Sequence, residues 1–192
     1  MKKLLKQIEA VERLILEHKV KTISFDIDGT IYPIKKVQMK WWINFLKNPF
    51  RASRFYNIKK TWEGRRKGFE SVIVTPSDID FFEQYLTQDL LSSELVPSEM
   101  REWIKALTER EIKIFFLSDH GAEAKLKVLK VETKYAINCL KETTQLKPHA
   151  KISELLRTHY RIIPETHLHL GDRWTDEEQA KLFGCHFSYF AP

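Results

Sequence analysis

The sequence predicts an α/β fold, a Rossmann-like, mostly parallel sheet interrupted once by an inserted α-helical subdomain. Short apolar runs rich in β-branched residues recur along the 192 residues, and stretches of roughly ten residues with helical periodicity separate them. Strands alternating with helices in this way imply right-handed crossovers and a parallel sheet. The stretch from Ile34 to Glu94 is too long for a loop inside a compact domain, and its own period is helical. The expected division is therefore residues 1–33 with 95–192 as the core and 34–94 as the insertion.

Leu4, Ile8, Val11 and Ile15 recur at helical spacing with Lys or Glu between them, so the first segment reads as an amphipathic helix. Val20 to Phe25 is a buried strand that ends in Asp26-Ile27-Asp28-Gly29-Thr30. In the insertion, Met39, Trp42, Ile43 and Leu46 make one apolar helical face, and Phe81, Phe82, Tyr85, Leu86 and Leu90 another. A helix over Met100–Glu111 precedes the strand Ile112–Leu117, which ends at Ser118. A helix from about Ala122 to Lys130 leads to a strand at Tyr135–Cys139, and one from Ala150 to Tyr160 leads to His167–Leu170. Cys185–Phe190 is the last strand.

With 43% apolar and 30% charged residues the chain can build a core and is not disordered. The opening Met1-Lys2-Lys3-Leu4-Leu5 looks like the start of a secretory signal, but Lys6, Glu9, Glu12 and Arg13 interrupt it, and no apolar run reaches membrane-spanning length. Cys139 and Cys185 are the only cysteines and form no CxxC pair, which suggests buried thiols in a reducing, cytoplasmic setting. The net charge of +6 understates a local concentration. Eleven Lys or Arg lie between Lys35 and Lys67, with Glu63 alone opposing them.

Asp26 and Asp28 carry most of the chemistry. In a strand, alternate side chains share a face, so two acids one residue apart at a strand end can converge. Their repulsion calls for a cation between them, and a hard divalent ion such as Mg²⁺ takes oxygen ligands. Ser118 follows the second strand, Lys147-Pro148 precedes a helix, and Gly171-Asp172-Arg173-Trp174-Thr175-Asp176 follows the fourth strand. Carboxylates, a hydroxyl and an ammonium are the groups needed to hold a metal and a phosphate, and an Asp can serve as the nucleophile of phosphoryl transfer.

Those four motifs, in that order across about residues 21 to 190, make the chain resemble a haloacid dehalogenase superfamily phosphatase whose helical (C1-type) cap is inserted after the first strand. The resemblance implies that Asp26 is the nucleophile and a metal ligand. It makes Asp28 the general acid and base, with its backbone carbonyl on the metal. Asp172 and Asp176 would complete a Mg²⁺ site, and Ser118 and Lys147 would hold the phosphoryl oxygens. Asp28 favours phosphate esters over halides, because ester cleavage needs a proton delivered and then removed. The chain departs from the pattern at Asp119-His120-Gly121, which puts Asp119 beside Ser118 as a further candidate phosphate-binding residue, and at Glu177-Glu178, which read as a solvated first helical turn.

Other readings stand beside these. His120 could contact substrate or be a surface group, and Arg173 and Trp174 could line the site or pack at a helix start. His167 and His169 alternate on one strand face, before the strand end, and read as packing rather than metal ligands. A small phosphorylated substrate is the expected partner. Trp41, Trp42, Phe45, Phe50, Phe55, Tyr56 and Trp62 interleave with Lys and Arg. That composition fits a self-contained cap core, a surface holding nucleic acid or an acidic partner, or a basic amphipathic face for an anionic membrane or self-association near Trp42.

Overall fold

Five parallel strands form one sheet, in the order β3-β2-β1-β4-β5, in the computed structural model, which describes residues 2–66 and 75–192. They are β1 (Thr22–Asp26), β2 (Lys113–Ser118), β3 (Ala136–Asn138), β4 (His167–Gly171) and β5 (His186–Tyr189). β1 is central, with Asp26 opposite Leu117 on one side and Phe25 opposite Leu170 on the other. The chain leaves β1 in opposite directions across the sheet, so the carboxyl ends of β1, β2 and β4 surround a switch point where such folds bind ligands.

Helices cover both faces. α1 (Lys2–Glu17) turns Leu4, Val11 and Ile15 inward, and its Glu12 accepts a 2.7 Å hydrogen bond from the Trp103 indole. Three helices follow β1: α2 (Ile34–Lys47), α3 (Pro49–Arg66) and α4 (Pro76–Tyr85), the last continued by a π turn over Leu86–Leu90. α5 (Ser98–Glu109) leads into β2, α6 (Ala122–Leu129) into β3, and α7 (Cys139–Thr143) with α8 (Ala150–Thr158) into β4. α9 (Trp174–Phe183) precedes β5. The period of two decides the layers: Phe116 joins the cluster under α1 and α5, while Phe115 and Leu117 face Ile152, Leu156 and Phe183 on the other side.

The inserted helices have an aromatic core of their own. Phe55 stacks on Phe82 at 4.3 Å, and Trp62 packs on Phe82 at 4.3 Å. Phe82, Tyr85, Leu86 and Leu90 are buried as the periodicity predicts. α2 presents the apolar face named from its periodicity to the surface. Met39, Trp42, Ile43 and Leu46 are exposed, and Val37, with Ile34, Trp41 and Phe45, faces inward. The helix carries two apolar stripes, and the one containing Trp41 wins the contact with α3, where the indole donates to the Ala52 carbonyl at 3.3 Å.

Candidate active site

Asp26 closes β1 and is buried, with Lys147 Nζ donating to its Oδ1 at 2.5 Å. The same ammonium donates to Asp176 Oδ1 at 2.6 Å, so one fully buried lysine bridges two carboxylates from different strand ends. Asp176 Oδ2 accepts the Arg173 backbone N–H at 3.2 Å, the acid at the third helical position capping α9. Gly171 permits this packing, since a Cβ there would lie 2.3 Å from that of Asp176. Burial pushes the Asp26 carboxyl up to about 7 despite Lys147. Burial alone would also raise Asp176, but Lys147 and His169 together outweigh it and hold that carboxyl well below the usual range. Burial opposes the Lys147 charge, and Asp176 and Asp26 more than restore it.

Asp28 is gripped from both sides. Its Oδ1 accepts from the Tyr32 hydroxyl, and its Oδ2 is ion-paired with the Lys125 ammonium. Burial would raise this carboxyl, yet Lys125, His120 and the two hydrogen bonds overcome it and keep Asp28 well below the usual carboxylate range. Lys125 also donates to Ser118 Oγ at 2.9 Å, while the Ser118 hydroxyl donates to the His120 carbonyl at 3.0 Å. Ser118 is thus fully buried and joined to Asp28 through Lys125. Sequence reasoning missed Lys125, although a signal was present. It falls three residues after Ala122, on the α6 stripe that buries Ala122, Leu126 and Leu129, where a lysine is out of place unless paired.

Asp172 completes the acidic group. Asp26, Asp172 and Asp176 each present an oxygen within 4.8 Å of the others. An all-carboxylate set is the donor class of hard divalent ions, and Asp172 Oδ1 is a buried oxygen with no hydrogen-bond partner among the described residues. These residues fit Mg²⁺. Arg173 stands against the same positions, 3.4 Å from Asp172 Oδ1 and donating to the Asp28 carbonyl at 3.3 Å. Gly29, at φ +97°, lets the turn after β1 lie against Asp172, whose Oδ2 would sit 2.1 Å from an added Cβ.

Asp119 places Lys147, because its Oδ1 accepts the Lys147 backbone N–H at 2.8 Å. His120 faces the cap, with its ring 4.9 Å from Trp62 and 4.6 Å from Phe82. Arg173 lines the site, while Trp174 is exposed at the start of α9. His167 and His169 are buried in a polar file along β1 and β4. Thr22 Oγ1 lies 2.7 Å from His167 Nδ1, and Ser24 Oγ lies 2.8 Å from His167 Nε2 and 2.7 Å from His169 Nδ1. His169 Nε2 is 3.7 Å from Asp176 Oδ1. Burial lowers His167 to about 3 and lowers His169 as well, so both rings are neutral near pH 7.

A cavity of about 300 Å³ joins Asp26, Asp28 and Lys147 to the cap. Trp41, Phe55, Trp62 and Phe82 wall it from above, with His120 and Arg173 at the core side. Lys59 and Glu63 also reach it, 3.9 Å from each other. The Trp62 indole N–H is buried and has no hydrogen-bond partner among the described residues.

A parallel sheet whose central strand ends in a buried aspartate, with paired lysine, further carboxylates and a helical cap over the opening, defines an α/β protein with an acidic site at its strand ends. The haloacid dehalogenase-like hydrolase family matches residues 20–184, and the chain belongs to it. Solved structures share the fold at low identity. One is a predicted phosphoglycolate phosphatase from Haemophilus somnus, with TM-score 0.61 and 15% identity over 90% of this chain and 87% of that one. Another is CbbY from Rhodobacter sphaeroides in complex with phosphate, with TM-score 0.59 and 14% identity over 90% and 87%. The L-2-haloacid dehalogenase from Xanthobacter autotrophicus matches with TM-score 0.56 and 17% identity over 88% and 76%. No curated protein is a significant match.

Proposed function

We propose that this hydrolase is a Mg²⁺-dependent phosphatase that cleaves a phosphate monoester through an aspartyl phosphate on Asp26. The observation that carries the reading is Asp26 on the cavity floor with the Lys147 ammonium at 2.5 Å, because attack by an anion on a phosphate needs a cation beside it. An Asp26 oxygen would attack phosphorus and expel the alcohol, while Lys147 braces the phosphoryl oxygens. Held by Asp26, Asp172, Asp176 and the Asp28 carbonyl, Mg²⁺ would offset the charge that develops on those oxygens. Asp28 would take the proton from the water that opens the aspartyl phosphate. Carbon–halogen cleavage needs no divalent ion, so the acidic set of Asp26, Asp172 and Asp176 favours phosphate over halide.

The grip on Asp28 points to the leaving group. Delivering a proton requires the carboxyl to be protonated, and the Lys125 ion pair opposes that. Substrates whose alcohol departs readily as an anion, phenols rather than alkanols, suit such a site. The cavity agrees, since its aromatic walls offer little to a polyol while the Trp62 N–H offers one donor to a flat group. The test is release of inorganic phosphate from phenyl phosphate and from glycerol phosphate, with Mg²⁺ present or chelated. Asp26→Asn should abolish turnover, and Asp28→Asn should reduce it by about 10²–10⁴. Undiminished activity in Asp26→Asn refutes the mechanism, and a preference for glycerol phosphate refutes the leaving-group assignment alone.

A further inference from the structure

The exposed face of α2 is unlike a solvated surface. Met39, Trp42, Ile43 and Leu46 fall within an arc of about 100° on the helix. Met39 is 61% and Leu46 83% exposed, and Phe50, just past the helix end, is 88% exposed. Their opposite stripe already packs on the protein, so nothing among the described residues covers this one. α2 carries four lysines and no acidic residue. Lys35 falls inside the apolar arc, and Lys36 and Lys47 edge it.

We propose that this face docks on an anionic lipid bilayer, with Met39, Ile43, Leu46 and Phe50 at the acyl boundary and Lys35, Lys36 and Lys47 among the headgroups. A contiguous apolar patch bordered by charge marks an interaction surface, and a helix with lysine flanks and tryptophan on its apolar side lies in a membrane interface. No described helix is long and apolar enough to cross a bilayer, so the contact is peripheral. Self-association is disfavoured by charge. A two-fold contact sets α2 against itself, and with no acid on the helix its four lysines meet no opposite charge there. Nucleic acid is disfavoured by shape, because the centre of the stripe is aliphatic, whereas unpaired bases stack on aromatic planes. The inference is independent of the phosphatase reading.

The test is co-sedimentation with vesicles of phosphatidylcholine alone and of phosphatidylcholine mixed with an equal part of phosphatidylglycerol. The protein should pellet with the anionic vesicles only. Ile43→Glu with Leu46→Glu, and separately Lys35→Glu with Lys36→Glu, should each lower the partition coefficient roughly tenfold or more. These side chains lie outside the cavity and on the surface, so circular dichroism should be unchanged. Failure of the wild-type protein to bind anionic vesicles at low salt overturns the proposal. So does a concentration-dependent dimer that Leu46→Glu disperses, or tighter binding to a single-stranded oligonucleotide than to the vesicles.

Discussion

Replacing Lys125 with methionine removes one partner of a buried ion pair and leaves the other in place. Lys125 is fully buried and the Asp28 side chain is 19% exposed. Breaking such a pair costs about 3–5 kcal/mol when the remaining charge has no other partner. Asp28 keeps the Tyr32 hydroxyl and some access to water, which brings the expected loss to about 2–3 kcal/mol, or roughly 5–10 °C in Tm for a chain of this size. The sign with pH follows from the lowered Asp28 carboxyl. A group held below its unfolded value of about 3.9 stabilises the fold above that pH and stops doing so as the acid range is entered. The Lys125→Met deficit should therefore be full at pH 7 and shrink below about pH 4. The double variant Asp28→Asn with Lys125→Met keeps an acceptor for Tyr32 without a buried charge, and should recover at least half of the loss. Differential scanning calorimetry across pH measures all three proteins. A single variant as stable as the parent at pH 7, or one whose deficit is the same at about pH 3, refutes the reasoning.

Ser24→Ala strands His167 Nε2 and His169 Nδ1 in a buried file and should cost about 2–3 kcal/mol in urea unfolding at pH 7; a neutral effect would mean the rings have other partners. Gly29→Ala places a Cβ against Asp172 at a φ of +97°, so calorimetric titration should find Mg²⁺ affinity sharply reduced. Arg173→Ala frees the Asp28 carbonyl and Asp172 Oδ1, and should tighten Mg²⁺ binding several-fold in the same titration, since a guanidinium no longer competes. Weaker binding in that variant would assign Arg173 a supporting role instead.

The strands were legible because each is a short apolar run closed by a polar turn, and the structure places β2 only one residue later than the periodicity does. The acidic strand ends were legible for the same reason, and Asp26, Asp172, Asp176 and Lys147 do meet. For α2 the periodicity found the apolar face of Met39, Trp42, Ile43 and Leu46 without saying whether a neighbour covers it; the helix has a second stripe, and that one packs inward. Lys125 was hidden because a lysine on an amphipathic helix is ordinarily solvated; only its coincidence with the Ala122–Leu126–Leu129 stripe marks it. The role of Asp119 was not visible either, since it depends on a backbone N–H that arrives from 28 residues away.

The hydroxyl–imidazole file beneath the site has a direction. Asp176 Oδ1 lies 3.7 Å from His169 Nε2, too far for a hydrogen bond, but its negative charge favours the ring proton on that facing nitrogen, which leaves the other ring nitrogen to accept from Ser24. The Ser24 oxygen then accepts from His167 Nε2–H, and His167 Nδ1 accepts from Thr22. One carboxylate thereby biases the tautomers of two histidines that stand two residues, or about 7 Å, apart along β4. A cation arriving among the acids would weaken that pull at its source, so the ring-nitrogen resonances of His167, at the amino end of β4, become a spectroscopic gauge of whether the site is loaded.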